Sequence, residues 1–168
     1  MTAILFFGVF PALMAVAAAY DLTTLTIPNR LTAAVALAFV VAVMLCRLPV
    51  SEIAWHLGAG FLVLVAAFAM FSAGWVGGGD AKLAAGVALW FGFADLLDYL
   101  MLAAILGGVM TLALLAVRRY PLPTILARLP WALKLHAPET GVPYGIALAV
   151  AALAVMPHAE IMLRAFPS

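Results

Sequence analysis

Charged residues are nearly absent from this chain except in short clusters between long apolar runs, and that spacing restricts the fold more than any other feature. Thr2 to Tyr20 carries no acidic or basic side chain, and neither do Leu31 to Cys46 nor Leu57 to Gly79. A helix needs ~20 predominantly apolar residues to cross a ~30 Å hydrocarbon layer. The sequence is 68% hydrophobic and 9% charged, against roughly 45–50% and about 25% in a soluble domain. Water cannot be the solvent for such a chain. In lipid every backbone polar group must be satisfied internally, so the expected fold is all-α, a polytopic membrane protein in one integral-membrane domain over residues 1–168.

Uncharged runs predict six transmembrane helices, about Thr2 to Tyr20, Leu31 to Cys46, Leu57 to Gly77, Ala81 to Leu97, Tyr99 to Val117 and Val142 to Met156. The first run lacks a basic start and a small-residue cleavage site, so it is expected to stay as a span and not to leave as a signal peptide. Gly58, Gly60, Gly107 and Gly108 suit close helix packing in lipid. The loops after spans one, three and five hold Arg30, Lys82, Arg118, Arg119, Arg128 and Lys134, whereas the other face holds only Arg47 and Arg164. By the positive-inside rule the first group is cytoplasmic and both termini lie outside. Asp21 and Asp80, 59 positions apart, therefore fall on the same side.

The one long connection, Arg118 to Gly141, contains Pro121, Pro123, Pro130 and Pro138. It reads as a cytoplasmic loop with an interfacial segment around Ile125 to Leu135, where Trp131 can anchor at the headgroups. With a formal net charge of +1 and no Lys/Arg block, no nucleic-acid surface or polybasic lipid-binding tail is indicated. The single Cys46 makes no internal disulfide and reads as packing. His56, His136 and His158 fall in different loops, so no metal site and no cofactor are expected.

The fourth span contains a depth problem. Its charge-free stretch, Leu83 to Ala94, is twelve residues, about 18 Å of helix. With Asp95 at the outer interface, Asp80 lies roughly 22 Å along the helix and so below the cytoplasmic boundary of a ~30 Å core; with Asp98 there instead, Asp80 comes nearer the surface. Lys82 can snorkel out on its long stem, but an aspartate is too short to do so well. A submerged carboxylate suggests function when a partner can be named, and the partner is Asp21 at the end of the first span. Two adjacent carboxylates do not both ionise easily; one keeps a proton and can polarise a carbonyl while the other activates water. They titrate as a unit, so the proton is not assigned to either.

Around Asp80 the chain reads Gly77-Gly78-Gly79-Asp80-Ala81-Lys82. Glycines there permit close backbone approach and unusual dihedrals where an extended substrate could lie. The same residues also read as a loop followed by an Asp80 N-cap. Asp21 is followed by Ile27-Pro28-Asn29, a turn in which Asn29 suits the N-cap of span two. Lys82 can pair with Asp80, meet a substrate carboxylate, or simply snorkel. Pro143 suits the first turn of span six.

An aspartate ending the first span, then Ile27-Pro28-Asn29, then Gly77-x-Gly79-Asp80 with Lys82, resembles the paired signature of the type IV prepilin peptidase family within the GxGD membrane aspartic proteases. Val142-Pro143-Tyr144-Gly145 is similar to a recurring segment of that family. The resemblance implies an aspartic endopeptidase of the bacterial inner membrane with Asp21 and Asp80 catalytic. Gly77, Gly78, Gly79, Lys82, Pro28 and Asn29 would lie at the substrate. It further implies a prepilin or pseudopilin partner cut on the cytoplasmic side, and it admits the pilus assembly machinery as another partner. Larger bifunctional relatives add a cysteine-bearing region and methylate the product; this sequence has no room for that region and most resembles the short peptidases of Tad/Flp pilus systems. The alternative from another class is a small proton-coupled transporter relaying protons through Asp21 and Asp80, although both lie near one face and no repeat is visible.

Overall fold

The computed structural model describes residues 1–166, and among them the chain is helical with no strand. The elements are α1 (Thr2–Thr24), α2 (Asn29–Cys46), α3 (Val50–Ser72), α4 (Gly78–Val117), α5 (Pro130–His136), α6 (Tyr144–Val155) and α7 (Glu160–Ala165). Four of them, α1 to α4, are long and apolar enough to cross a membrane, and α6 is a shorter apolar helix. The expectation of a polytopic all-helical protein is met, with four helices of spanning length among the described residues where six crossings were expected.

Local sequence explains where helices bend and stop. Pro11 lacks an N–H and its ring would clash with the carbonyl four residues back, and the turn before it, Leu5–Val9, widens to a π-helix. Helices α1 and α2 both end on a left-handed residue, Leu25 (φ 55°) and Arg47 (φ 50°), and in each case a proline follows within three residues and precedes the next helix. Pro28 holds the extended N-cap position of α2. Asn29 is thus the first helical residue and not the cap that its sequence context suggests. Likewise Pro143 is the N-cap of α6 rather than part of its first turn.

The main correction concerns the fourth and fifth spans. The sequence places their boundary at Asp98, but the chain reverses at Gly92, which has φ 55° and ψ −164°. That conformation is open to glycine and closed to residues with a Cβ. The two arms of α4, residues 78–91 and 93–117, run back along each other. The Phe91 and Tyr99 rings lie 5.1 Å apart, and Ala84 faces Leu100 and Ala103 across a common cavity. His56, expected in a loop, lies within α3 and is buried against the reversal. Its Nδ1 bonds the Leu89 carbonyl at 2.7 Å, which satisfies an acceptor stranded by the helix break. Asp80 then stands twelve residues from the reversal, about 18 Å along the arm, less than the ~30 Å hydrocarbon thickness.

Helix α4 is the centre of the bundle, packing on α3, α6 and α2. Its Trp90 is fully buried among Phe6, Phe10 and Phe39, and the indole N–H donates to the Val35 carbonyl at 3.1 Å. The outer surface is apolar as well: Leu37, Phe61, Phe68, Val109 and Leu112 are exposed. A surface this apolar belongs in lipid. Between α4 and α6 the long connection forms a 3₁₀ turn (Leu126–Arg128) and α5, which matches the segment expected at 125–135; Trp131 there is half-buried. Arg118 fastens this connection by donating to the carbonyls of Leu135, Thr140 and Gly141.

Candidate active site

Three chain segments converge at one end of the bundle. Asp21 sits in the last turn of α1 and is 3% exposed. Asp80 is the third residue of α4. Gly145 is the second residue of α6. The first residues of a helix carry N–H groups with no intrahelical partner, and one of them is used here: the Gly145 amide donates to Asp21 Oδ2 at 2.6 Å. Asp80 Oδ1, by contrast, is buried with no hydrogen-bond partner.

Both aspartates line a single cavity of about 220 Å³, together with Leu25, Thr26, Ile27 and the three glycines Gly77, Gly78 and Gly79. A second, apolar cavity of about 200 Å³ lies behind Asp80 between α3, α6 and the two arms of α4, with Tyr144 as its other polar residue. Asp80 therefore stands between a polar opening and an apolar recess.

Packing at this junction is close because it is made by glycines. A Cβ on Gly79 would stand 3.0 Å from the Ile27 nitrogen, and one on Gly145 would stand 2.7 Å from Ile27 Cδ1 and 2.8 Å from Asp21 Oδ2. Ile27 is thus held between the starts of α4 and α6. Of the glycines before Asp80, Gly79 serves this approach, while a Cβ on Gly78 would meet the Phe71 ring; none of the three has unusual dihedrals, since Gly74 and Gly92 are the two glycines with positive φ among the described residues. The reading of Asp80 as an N-cap is also replaced, because Gly77 holds that position without a side-chain cap bond.

The other residues singled out in the sequence lie beside this cavity. Lys82 makes no ion pair among the described residues; its Nζ donates to Asn29 Oδ1 at 2.8 Å. Pro28 and Asn29 line a neighbouring surface hollow with Tyr20 and Arg30. Lys134 from α5 donates to the Thr24 carbonyl at 2.6 Å, closing the C-terminal end of α1. No group of three His, Cys, Asp or Glu side chains among the described residues is arranged to hold a metal ion. What the residue-by-residue reading missed is the part of α6: the Gly145 amide, the Tyr144 wall, and Ile27 wedged against both. The signal was present only as the segment Val142-Pro143-Tyr144-Gly145, whose chemistry is invisible until the backbone folds.

The fold and site describe a polytopic helical membrane protein with two acidic side chains from distant segments in one cavity. Residues 8–112 match the type IV leader peptidase family. The chain belongs to that family, and membership implies a peptidase. The match contains Asp21, Ile27-Pro28-Asn29, Gly77 to Asp80 and Lys82, and ends before Tyr144 and Gly145. No curated protein and no solved structure matches the chain.

Proposed function

We propose that this protein is an aspartic endopeptidase that removes the leader from type IV prepilins or pseudopilins, of the Flp type, on the cytoplasmic side of the bacterial inner membrane. The observation that carries the reading is that Asp21 and Asp80 line one cavity in a chain of the leader peptidase family. One carboxylate is ionised and takes a proton from water as the water oxygen attacks the scissile carbonyl carbon. The protonated partner donates to the carbonyl oxygen, and the tetrahedral intermediate collapses as the departing amide nitrogen receives a proton. The basic residues gathered around the site end, Arg30, Lys82, Arg118 and Lys134 among them, support its cytoplasmic placement.

A substrate helix hides its peptide bonds in its own hydrogen bonds, so the leader junction must unwind beside Gly77 to Asp80. Asp21→Asn and Asp80→Asn, each co-expressed with a prepilin, are expected to insert normally and leave the precursor uncut. Processing retained by either variant would overturn the assignment.

A further inference from the structure

Lys82 and Asn29 meet each other across 53 positions of sequence, at a place where the geometry gives that contact a purpose. Lys82 is two residues beyond Asp80 on the same helical turn, and Asn29 opens α2 directly after the short segment that follows Asp21. The same two stretches touch once more, where Gly79 lies against the Ile27 backbone. The segments that bear the two aspartates are therefore joined at two points, one apolar and one polar, on either side of Asp80.

We infer that Lys82 and Asn29 are a clasp, a positioning pair that holds the Asp80 turn of α4 against the chain following Asp21 and so fixes the separation of the two carboxylates. This deepens the peptidase reading and rests on it for its catalytic consequence, but the contact itself does not. The pairing is chemically specific. A lysine Nζ has three donors and no acceptor, and the Asn29 side-chain oxygen is an acceptor. Both side chains are exposed, and the bond gives the Lys82 ammonium a fixed neutral acceptor without neutralising either aspartate. It also moves Lys82 from contact with substrate to support of the site. A misplacement of about 1 Å between reacting groups can cost of order 10²-fold in rate, so a clasp lost at either end should lower kcat while leaving KM nearly unchanged.

The test has two independent arms in vesicles containing the full chain. In a Cys46→Ser background, Asn29→Cys with Lys82→Cys should form a cross-link with a short thiol-reactive bridge, whatever the enzyme does. In the cleavage arm, Asn29→Leu, Lys82→Met and the double variant should lose kcat by a similar factor, because removing either partner already opens the clasp. The exchanged pair, Asn29→Lys with Lys82→Asn, should recover much of the loss, which a general structural defect would not allow. Failure of the cross-link, or additive losses dominated by raised KM, would overturn the clasp and return both residues to substrate binding. A normal cross-link in the double-cysteine variant together with no prepilin cleavage by the wild-type chain would instead overturn the peptidase reading, and the clasp's catalytic role with it.

Discussion

The two ends of the bundle treat their charges in opposite ways. At the end away from the candidate site, Arg164 bridges Glu52 and Glu160 at 2.9 Å each, and Asp95 accepts the Glu160 amide at 2.9 Å. Glu52, Glu160 and Asp95 are each answered by a cation or a backbone donor. At the site end basic residues are more numerous, yet they are turned toward neutral oxygens: Lys82 to Asn29, Lys134 to Thr24, and Arg118 to the carbonyls of the long connection. Asp21 receives one amide and Asp80 Oδ1 receives nothing. Charges of the first kind hold a surface together. A carboxylate kept in a cavity beside cations that bond other groups is held available, as the proposed peptidase chemistry requires.

Breaking the site end should have the largest effect. The double variant Asp21→Asn with Asp80→Asn should cut no faster than either single variant, with each reduced by at least about 10³-fold, because groups that act as a unit do not contribute additively. Initial rates on one prepilin would decide it. Next in size is Gly145→Val. Its Cβ would fall 2.8 Å from Asp21 Oδ2, so α6 must shift and carry away the amide that orients Asp21. A loss of order 10²-fold in kcat is expected, read in the same assay with insertion checked by membrane fractionation.

Smaller effects should come from elements that only support the bundle. Gly92→Ala forces a side chain into a positive-φ conformation against the His56 ring, which should cost roughly 1–3 kcal/mol of stability, visible as a lower unfolding midpoint in detergent. Smallest of all is the far end: Arg164→Gln removes exposed ion pairs of a kind that contribute little, so cleavage should stay within about twofold of wild type. A large loss of cleavage from Arg164→Gln would erase the contrast between the two ends.

Much of this contrast can be read in the sequence, because loop charge and span length are local properties. The co-location of Asp21 and Asp80 follows from counting spans and basic residues, and the structure places both in one cavity. The reversal at Gly92 does not follow. Asp95 and Asp98 mimic a loop, the residues from Leu83 to Ala94 that contain Gly92 carry no charge, and a glycine needed for its φ looks in sequence like one needed for packing. His56 was misplaced for the same reason, since the cue for burial is a carbonyl exposed only after the helix breaks. Asn29 suits an N-cap by residue type, but Pro28 takes the position and Lys82 takes the side chain. Pairings across 53 or 124 positions are settled by how helices pack, and no local pattern announces them.

The most direct measurement is cleavage by the purified chain alone, reconstituted in vesicles with a full-length prepilin and followed by mass spectrometry of both fragments. The wild-type chain, with no other protein present, should make a single cut that separates the leader from the apolar segment, and either asparagine variant should leave the precursor intact. An intact precursor with the wild-type chain, or the same cut with Asp21 or Asp80 replaced, would contradict it.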